Sequence, residues 1–433
     1  MKDQIKNLFS IHWILTITIA VIAVLQFAIF GVVGLATYFV LLVYNVIGLI
    51  YCWKVGKKKI YNCPTLFFGI AYCVMYIVAS LINGNFVNST TTIIQYLLIL
   101  TLSFFIRPDF EIIKNVITIS KVLTVAGIAM SVLSVLLAVL GTAFPIFFEN
   151  LPSWEICNVI RGRICDIKKE RLIGFAGNPN TTAFYCYTCL VSSIFLISVE
   201  KKTKWKLFSV FNIFVCIVVI FFLSNSRTYM LSFAIFIFSY FITCYLFAYK
   251  ESKNRLKAVR FFLLLCGALL IVVIALVIFV PSFRDFLLVK FLRIDSVKTI
   301  GNREEIFKSA VIMGSNHRVF GINSDIFEEQ VAFHTHNMYL EIITFAGIPC
   351  FILFICYLAF ATGVSVRNFN WLKKTTLETR VLNCYVFSFL LGYFVGGLTE
   401  TGGVSSMRLI FPVLQVLIAS ICVLQCNYSE NNQ

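Results

Sequence analysis

Apolar runs of about 20 residues recur along the whole chain, each long enough to cross a bilayer as a helix. Twelve are recognised, near residues 11–30, 32–53, 65–82, 91–106, 117–140, 180–199, 207–223, 228–248, 261–280, 337–360, 382–398 and 405–425. The first two are continuous and divide at Gly31 and Gly34. The expected fold class is therefore all-α: a polytopic integral membrane protein forming one membrane domain over residues 1–433.

The polar hinges between the runs fall into two sets. "KVGKKK", "RPDFEIIK", "EKKTKWK", "KESKNRLKAVR" and "VRNFNWLKKTTLETR" are basic and alternate with "NGNFVNST", "SNSR" and "TETGG", which carry little positive charge. Lys and Arg accumulate in cytoplasmic loops, so the first set is expected inside. An even number of spans then puts both termini in the cytoplasm. The apolar run after Lys2 and Lys6 is far too long for a cleavable signal peptide.

Two outer segments are long and charged: Glu149 to Asn180, and Pro281 to about His336. Long loops translocate largely regardless of charge, so neither overturns the topology. In the second, "SFRDFLLVKFLRI" mixes basic and apolar residues like a helix lying in the headgroup plane. "NREEIFKSAVIM" offers Asn302 as an N-cap and Glu305 at N3, with Ile306, Phe307, Ala310 and Val311 on one apolar face. A partly helical extracytoplasmic subdomain is expected over 281–336.

Composition supports this reading. Hydrophobic residues make up 60% of the chain and charged residues 13%, about half the share usual in soluble domains. The net charge of +16 sits mainly in short hinges, which argues for membrane orientation and against a nucleic-acid partner. Cysteines such as Cys73, Cys216, Cys244 and Cys422 lie in apolar runs and read as small buried hydrophobes. Cys157 and Cys165 share an outer loop that can hold either a disulfide or free thiols.

Candidate chemistry gathers before one helix. The chain has only four histidines, His12, His317, His334 and His336, and three of them fall in one polar stretch that ends in "FHTHNMYLEIITFAG". Thr335 or His336 is placed at the start of a helix, where unpaired N–H groups and the helix dipole favour an anion. Asn337 and Glu341 stand four apart on its first turn. A neutral His beside an anion site is what a general base in transfer to or from a phosphate ester needs.

Four arginines are expected on the same face: Arg171 in "RLIGFAGNPN" (beside Asn178), Arg227 in "SNSRTYM", Arg303 at the start of the loop helix, and Arg408 just inside the last span. Arginine near a bilayer is costly, and its planar fork suits phosphate oxygens. For any one of them, headgroup anchoring or a structural ion pair is the competing reading. "HTH" also admits a metal site, with Glu328 or Glu329 as third ligand. No second His or Asp cluster accompanies it, so neither a metal nor another cofactor is expected.

His336-Asn337, nine residues, then Gly347 resembles the HN-x9-G signature of the O-antigen ligase and O-antigen polymerase family of bacterial envelope glycosyltransferases. "RLIGFAGNPNTTAF", "SNSRTYML" and "GNREEIFKSA" resemble other recurring stretches of that family in the same order, and the twelve-span layout agrees. The chain departs from the ligase pattern at Cys350, where ligases usually continue "GxxG".

The resemblance implies a GT-C-like membrane glycosyltransferase with its active site on the outer face of the cytoplasmic membrane. It would join repeat units of O-antigen, capsular or exopolysaccharide from a polyprenyl-pyrophosphate-linked donor. On this sequence it implies His336 as general base, with Arg227 and Arg303 holding the departing pyrophosphate. Arg171, Asn178, His334, Asn337, Glu341 and Arg408 would place the donor and acceptor glycans. Membrane lipid, a flippase and a chain-length regulator are the implied partners. A ligase moving finished glycan to a lipid or protein acceptor is the first alternative; a transporter of lipid-linked sugars is the second.

Overall fold

A computed structural model describes residues 11–25, 34–55, 63–83, 86–105, 111–143, 165–166, 171–172, 179–249, 297–331, 335–398, 400 and 409–430, with scattered positions between 254 and 281. In chain order the described helices are α1 (Ile11–Leu25), α2 (Gly34–Val55), α3 (Pro64–Asn83), α4 (Phe86–Phe105) and α5 (Ile112–Ala143). A two-residue antiparallel ladder, β1 (Cys165–Asp166) with β2 (Arg171–Leu172), precedes α6 (Pro179–Val199). Then come α7 (Thr203–Ile217) and α8 (Arg227–Thr243), each ending in a π-helical turn, at Val218–Leu223 and Cys244–Ala248. The rest are α9 (Val297–Asn316), α10 (Ser324–Val331), α11 (Met338–Trp371), α12 (Leu377–Gly397) and α13 (Ile410–Glu430).

The fold is all-α and polytopic, as expected. Among the described residues, seven helical segments are long and apolar enough to cross a membrane, and four shorter apolar helices accompany them. These correspond to eleven of the twelve predicted runs; the ninth, 261–280, lies mostly outside the described residues. The boundary between the first two runs, at Gly31 and Gly34, falls at the edge of residues 26–33, which lie outside the described residues.

α6 is the central helix: every residue from Thr182 to Ser193 is buried. Its hydroxyls join neighbouring helices rather than facing lipid. Ser193 Oγ lies 2.8 Å from Thr124 Oγ1 on α5 and accepts from Asn212 Nδ2 on α7 at 2.9 Å; Ser192 Oγ is 3.1 Å from the Tyr385 hydroxyl on α12. In lipid, helices gain little from apolar burial against one another, so such bonds and close backbone approach hold the bundle. Gly392 and Gly396, one helical turn apart on α12, give that approach: a Cβ at either would strike Ser232 of α8 or the Tyr187 hydroxyl of α6. Cys73, Cys216, Cys244 and Cys422 are buried as expected, and so are Cys186 and Cys189, which stand at CxxC spacing within α6.

Against α11 packs a small helical layer of α9 and α10. Ile306 and Ala310 of α9, Phe327 of α10 and Phe345 of α11 form a second small core. Two details of the prediction are corrected. α9 begins at Val297, so Asn302 lies inside the helix instead of capping it. Val311 is turned to the exterior, because the stripe that packs on α11 runs through Ile306 and Ala310. The segment "SFRDFLLVKFLRI" lies outside the described residues.

A backbone joint ties this layer to the bundle. At Gly347 α11 is broken by φ 83°, ψ 171°, and Pro349 follows with no N–H to restore the ladder. The freed groups bind the loop after α9: Ile348 N donates to Arg318 O at 2.8 Å, and Ile322 N donates to Thr344 O at 2.7 Å. Gly321, at φ 70°, lies against the Thr344–Ala346 backbone. A Cβ on Gly347 would stand 2.2 Å from Val319 O, so only glycine satisfies both the positive φ and the contact. This is the physical content of the glycine that follows Asn337 after nine intervening residues.

Candidate functional site

Asn337 is the N-cap of α11. Its Oδ1 accepts from Tyr339 N at 2.9 Å and Leu340 N at 3.0 Å, while Nδ2 donates to Leu398 O at 2.9 Å. The asparagine of the His-Asn pair thus starts one helix and ties it to the end of α12. Met338 N donates to Glu400 O at 3.1 Å, a second tie between the same two segments. Glu341, in the first turn, is buried near Tyr76 and Tyr393, inside the bundle rather than on its surface. An acidic side chain there also suits the helix dipole.

His336 immediately precedes the cap, with φ 50°, a conformation rare for a residue with a side chain. Its ring is 31% exposed, and Nδ1 stands 3.8 Å from Glu400 Oε2, an ion-pair separation rather than a hydrogen bond. Glu400 is buried, and its other oxygen accepts from Asn180 Nδ2 at 2.5 Å. Asn180 Oδ1 in turn accepts from Ser226 Oγ at 3.2 Å. Ser226 is the N-cap position of α8, whose first residue is Arg227, half-buried. Asn225 is the other non-glycine described residue with positive φ, at 48°. Backbone strain thus coincides with the two turns that carry His336 and Arg227.

The first turns of α6, α8 and α11 therefore meet at one end of the bundle around a His–Glu–Asn–Ser chain. Three positive helix ends converge where an anionic group would be bound. With Nδ1 toward a carboxylate, Nε2 is the ring nitrogen that can face a substrate, as in other His–carboxylate pairs.

The structure brings His336, Asn337 and the start of the Arg227 helix to one end of the bundle, while Glu341 lies nearer Tyr76 and Tyr393. Arg303 lies on α9 and Arg171 on β2, opposite Asp166 in register, with their side chains outside the described residues. Asn178, His334 and Arg408 lie outside them too, as does Cys157 of the pair considered for a disulfide. For the metal reading, Glu329 is exposed on α10, whereas the side chains of His334 and Glu328 are not described. Among the described residues no three His, Cys, Asp or Glu side chains cluster as metal ligands would.

Sequence reasoning missed Glu400, Asn180 and Ser226. Glu400 had one available signal: it is the carboxylate of "TETGG", one of the outer hinges otherwise poor in charge. Asn180 stands two residues from the predicted Asn178, across Pro179.

The chain was compared with known proteins. No curated protein matches it. A family model described as O-antigen ligase matches residues 212–355, which run from α7 into α11 and include Arg227, Arg303, His336, Asn337 and Gly347. Over that third of its length, on a polytopic helical fold, the chain is similar to the O-antigen ligase family.

Proposed function

We propose that the protein is a polymerase that joins polyprenyl-pyrophosphate-linked oligosaccharide repeat units on the outer face of the cytoplasmic membrane. The observation that carries this reading is the chain His336–Glu400–Asn180–Ser226, which sets a histidine and the start of the Arg227 helix around one space. Sidedness rests on charge. The lysine-rich hinge "EKKTKWK" follows the far end of α6 from Asn180, so the positive-inside rule puts His336 outside.

In this mechanism the acceptor hydroxyl gives its proton to His336 Nε2 as its oxygen attacks the anomeric carbon of the donor. The bond from that carbon to the pyrophosphate oxygen breaks, and the electron pair leaves with the pyrophosphate. Arg227 and Arg303 hold the departing oxygens, with the three helix starts adding positive potential. Arg171 and Arg408 assist in placing the donor, and Glu400 fixes the imidazole. No step calls on a metal. A flippase would supply the lipid-linked units and a chain-length regulator would set how many are joined.

A ligase shares this chemistry and differs in the acceptor. Cys350, which stands where ligases continue "GxxG", favours the polymerase. The test is purified protein in liposomes with a lipid-linked repeat unit as both donor and acceptor. A ladder of lipid-linked oligomers is expected. Single transfer of preformed glycan to a different acceptor would establish the ligase instead, and movement of the lipid-linked unit without bond formation would establish the transporter.

A further inference from the structure

A second cavity, of about 900 Å³, opens at the end of the bundle opposite His336. It forms where α5, α7 and α12 begin and α6 ends. Its walls are of two kinds. Ile112, Ile117, Val199 and Leu424 give an apolar flank that continues into the span. The mouth carries Lys114, Lys121, Lys201 and Lys202 against Glu111, Glu200 and Glu378.

Two of these lysines are committed. Lys114 Nζ lies 2.6 Å from Glu111, and Lys121 pairs with Glu200 while lying 5.4 Å over the Trp205 ring. Burial pushes the Glu200 carboxyl up, but the Lys121 ammonium and the N–H groups of Lys202 and Lys201 more than offset it, and its pKa lies below the ordinary value. The exposed pair Lys201 and Lys202 then faces a single further carboxylate, Glu378, leaving the mouth positive. α7 starts beside them with no side-chain cap at Lys202 and no acidic residue in its first turn. Its N–H groups add to the same positive field.

An apolar flank rising into the membrane beneath a positive mouth is the shape of one amphiphile. We propose that this cavity binds an anionic phospholipid, its phosphate against Lys201, Lys202 and the start of α7, its acyl chains along Ile112, Ile117, Val199 and Leu424. The rigid Lys121–Glu200–Trp205 cluster forms the wall that keeps the mouth open. This inference requires only that the bundle spans a membrane; it does not depend on the reaction assigned to His336.

The test is native mass spectrometry of the full chain in detergent, titrated with phosphatidylglycerol, with phosphatidylcholine, and with inorganic phosphate. One phosphatidylglycerol per chain is expected to bind at least tenfold more tightly than phosphatidylcholine. The double substitution Lys201→Gln, Lys202→Gln should weaken it about tenfold or more, each lysine near an anionic headgroup counting for a several-fold share. Lys204→Gln with Lys206→Gln, on the same hinge but not lining the cavity, should leave it unchanged. Equal affinity for the two lipids would overturn the site, as would equal losses in the two double variants, which would indicate general surface attraction. Saturation by inorganic phosphate that excludes the lipid would replace it with a soluble-anion site. Lys201, Lys202 and Lys204 are exposed and Lys206 is half-buried, and Ile117→Trp, which narrows the apolar flank while sparing every charge, gives an independent arm expected to lower lipid affinity.

Discussion

Two buried carboxylates stand at opposite ends of α6 and are treated in opposite ways. Glu200, just past its last residue, has both oxygens engaged: Oε1 accepts from Lys201 N at 2.9 Å and Lys202 N at 3.0 Å, and Oε2 pairs with the Lys121 ammonium. Glu400 meets the first turn of α6 through Asn180, and its remaining oxygen faces an imidazole 3.8 Å away. A carboxylate given a fixed cation is committed to architecture. One given an amide and an imidazole has a partner that can take up and release a proton during a reaction cycle. The partner, more than the depth of burial, distinguishes the two ends of the molecule.

The comparison breaks most sharply at His336. His336→Ala should lower turnover of a lipid-linked repeat unit by about 10²–10⁴-fold, the range for loss of a general base, with membrane insertion intact. Normal polymer in that variant would remove the proton-transfer role. His334→Ala should be milder, since it is two residues further from the N-cap Asn337; equal loss in both would revive the metal reading.

Arg227→Lys tests the anion half of the same end. An ammonium is a point charge without the fork, so lysine should not rescue turnover. Each charge-assisted bond lost is about 1.5–3 kcal/mol, a roughly ten- to hundredfold drop if it acts in the transition state. Near-normal rates in both Arg227→Lys and Arg303→Lys would mean that these arginines only anchor headgroups.

Glu400→Gln should cost about ten- to hundredfold, the range for groups that orient another catalytic residue. The loss should fall on kcat and leave KM and the melting temperature unchanged. A matching fall in melting temperature would reduce Glu400 to a structural tie between α11 and α12.

Glu200→Gln should leave turnover unchanged and lower thermal stability, by about 1–3 kcal/mol for a lost bond to a charged group. The sign with pH follows from its depressed pKa. Stabilisation is full above the ordinary carboxylate value of 4.5 and is lost as pH falls through the lower folded value. The variant's melting temperature should therefore be flatter across that acid range than the parent's. An unchanged dependence would show that Lys121 and Glu200 contribute nothing as a pair.

The fold was legible because lipid imposes one strong rule: apolar runs of bilayer length appear whatever their neighbours. The His336–Asn337 and Gly347 spacing was legible for a similar reason, since cap and break belong to one helix. What failed depends on distant chain. Glu400 joins His336 only because α12 ends where α11 begins, a coincidence of lengths that no local window contains. Asn180 enters the network through Glu400, and spacing alone does not separate two asparagines flanking a proline. The Asn302 cap was read from a good local pattern, yet Val297–Gly301 proves helical as well, so the true start lies further back.

The joint at Gly347 and Gly321 has an evolutionary consequence. Its paired bonds, Ile348 N to Arg318 O and Ile322 N to Thr344 O, are written in main-chain atoms, and the two glycines contribute only the absence of a side chain. The layer of α9 and α10 is therefore keyed to α11 by a fitting indifferent to most of its own sequence. Substitutions at Val311, Ile312 and Ile326, exposed on that layer, leave the fitting untouched. A lineage can thus vary the layer's exposed side while the joint holds its place on the helix that His336 precedes.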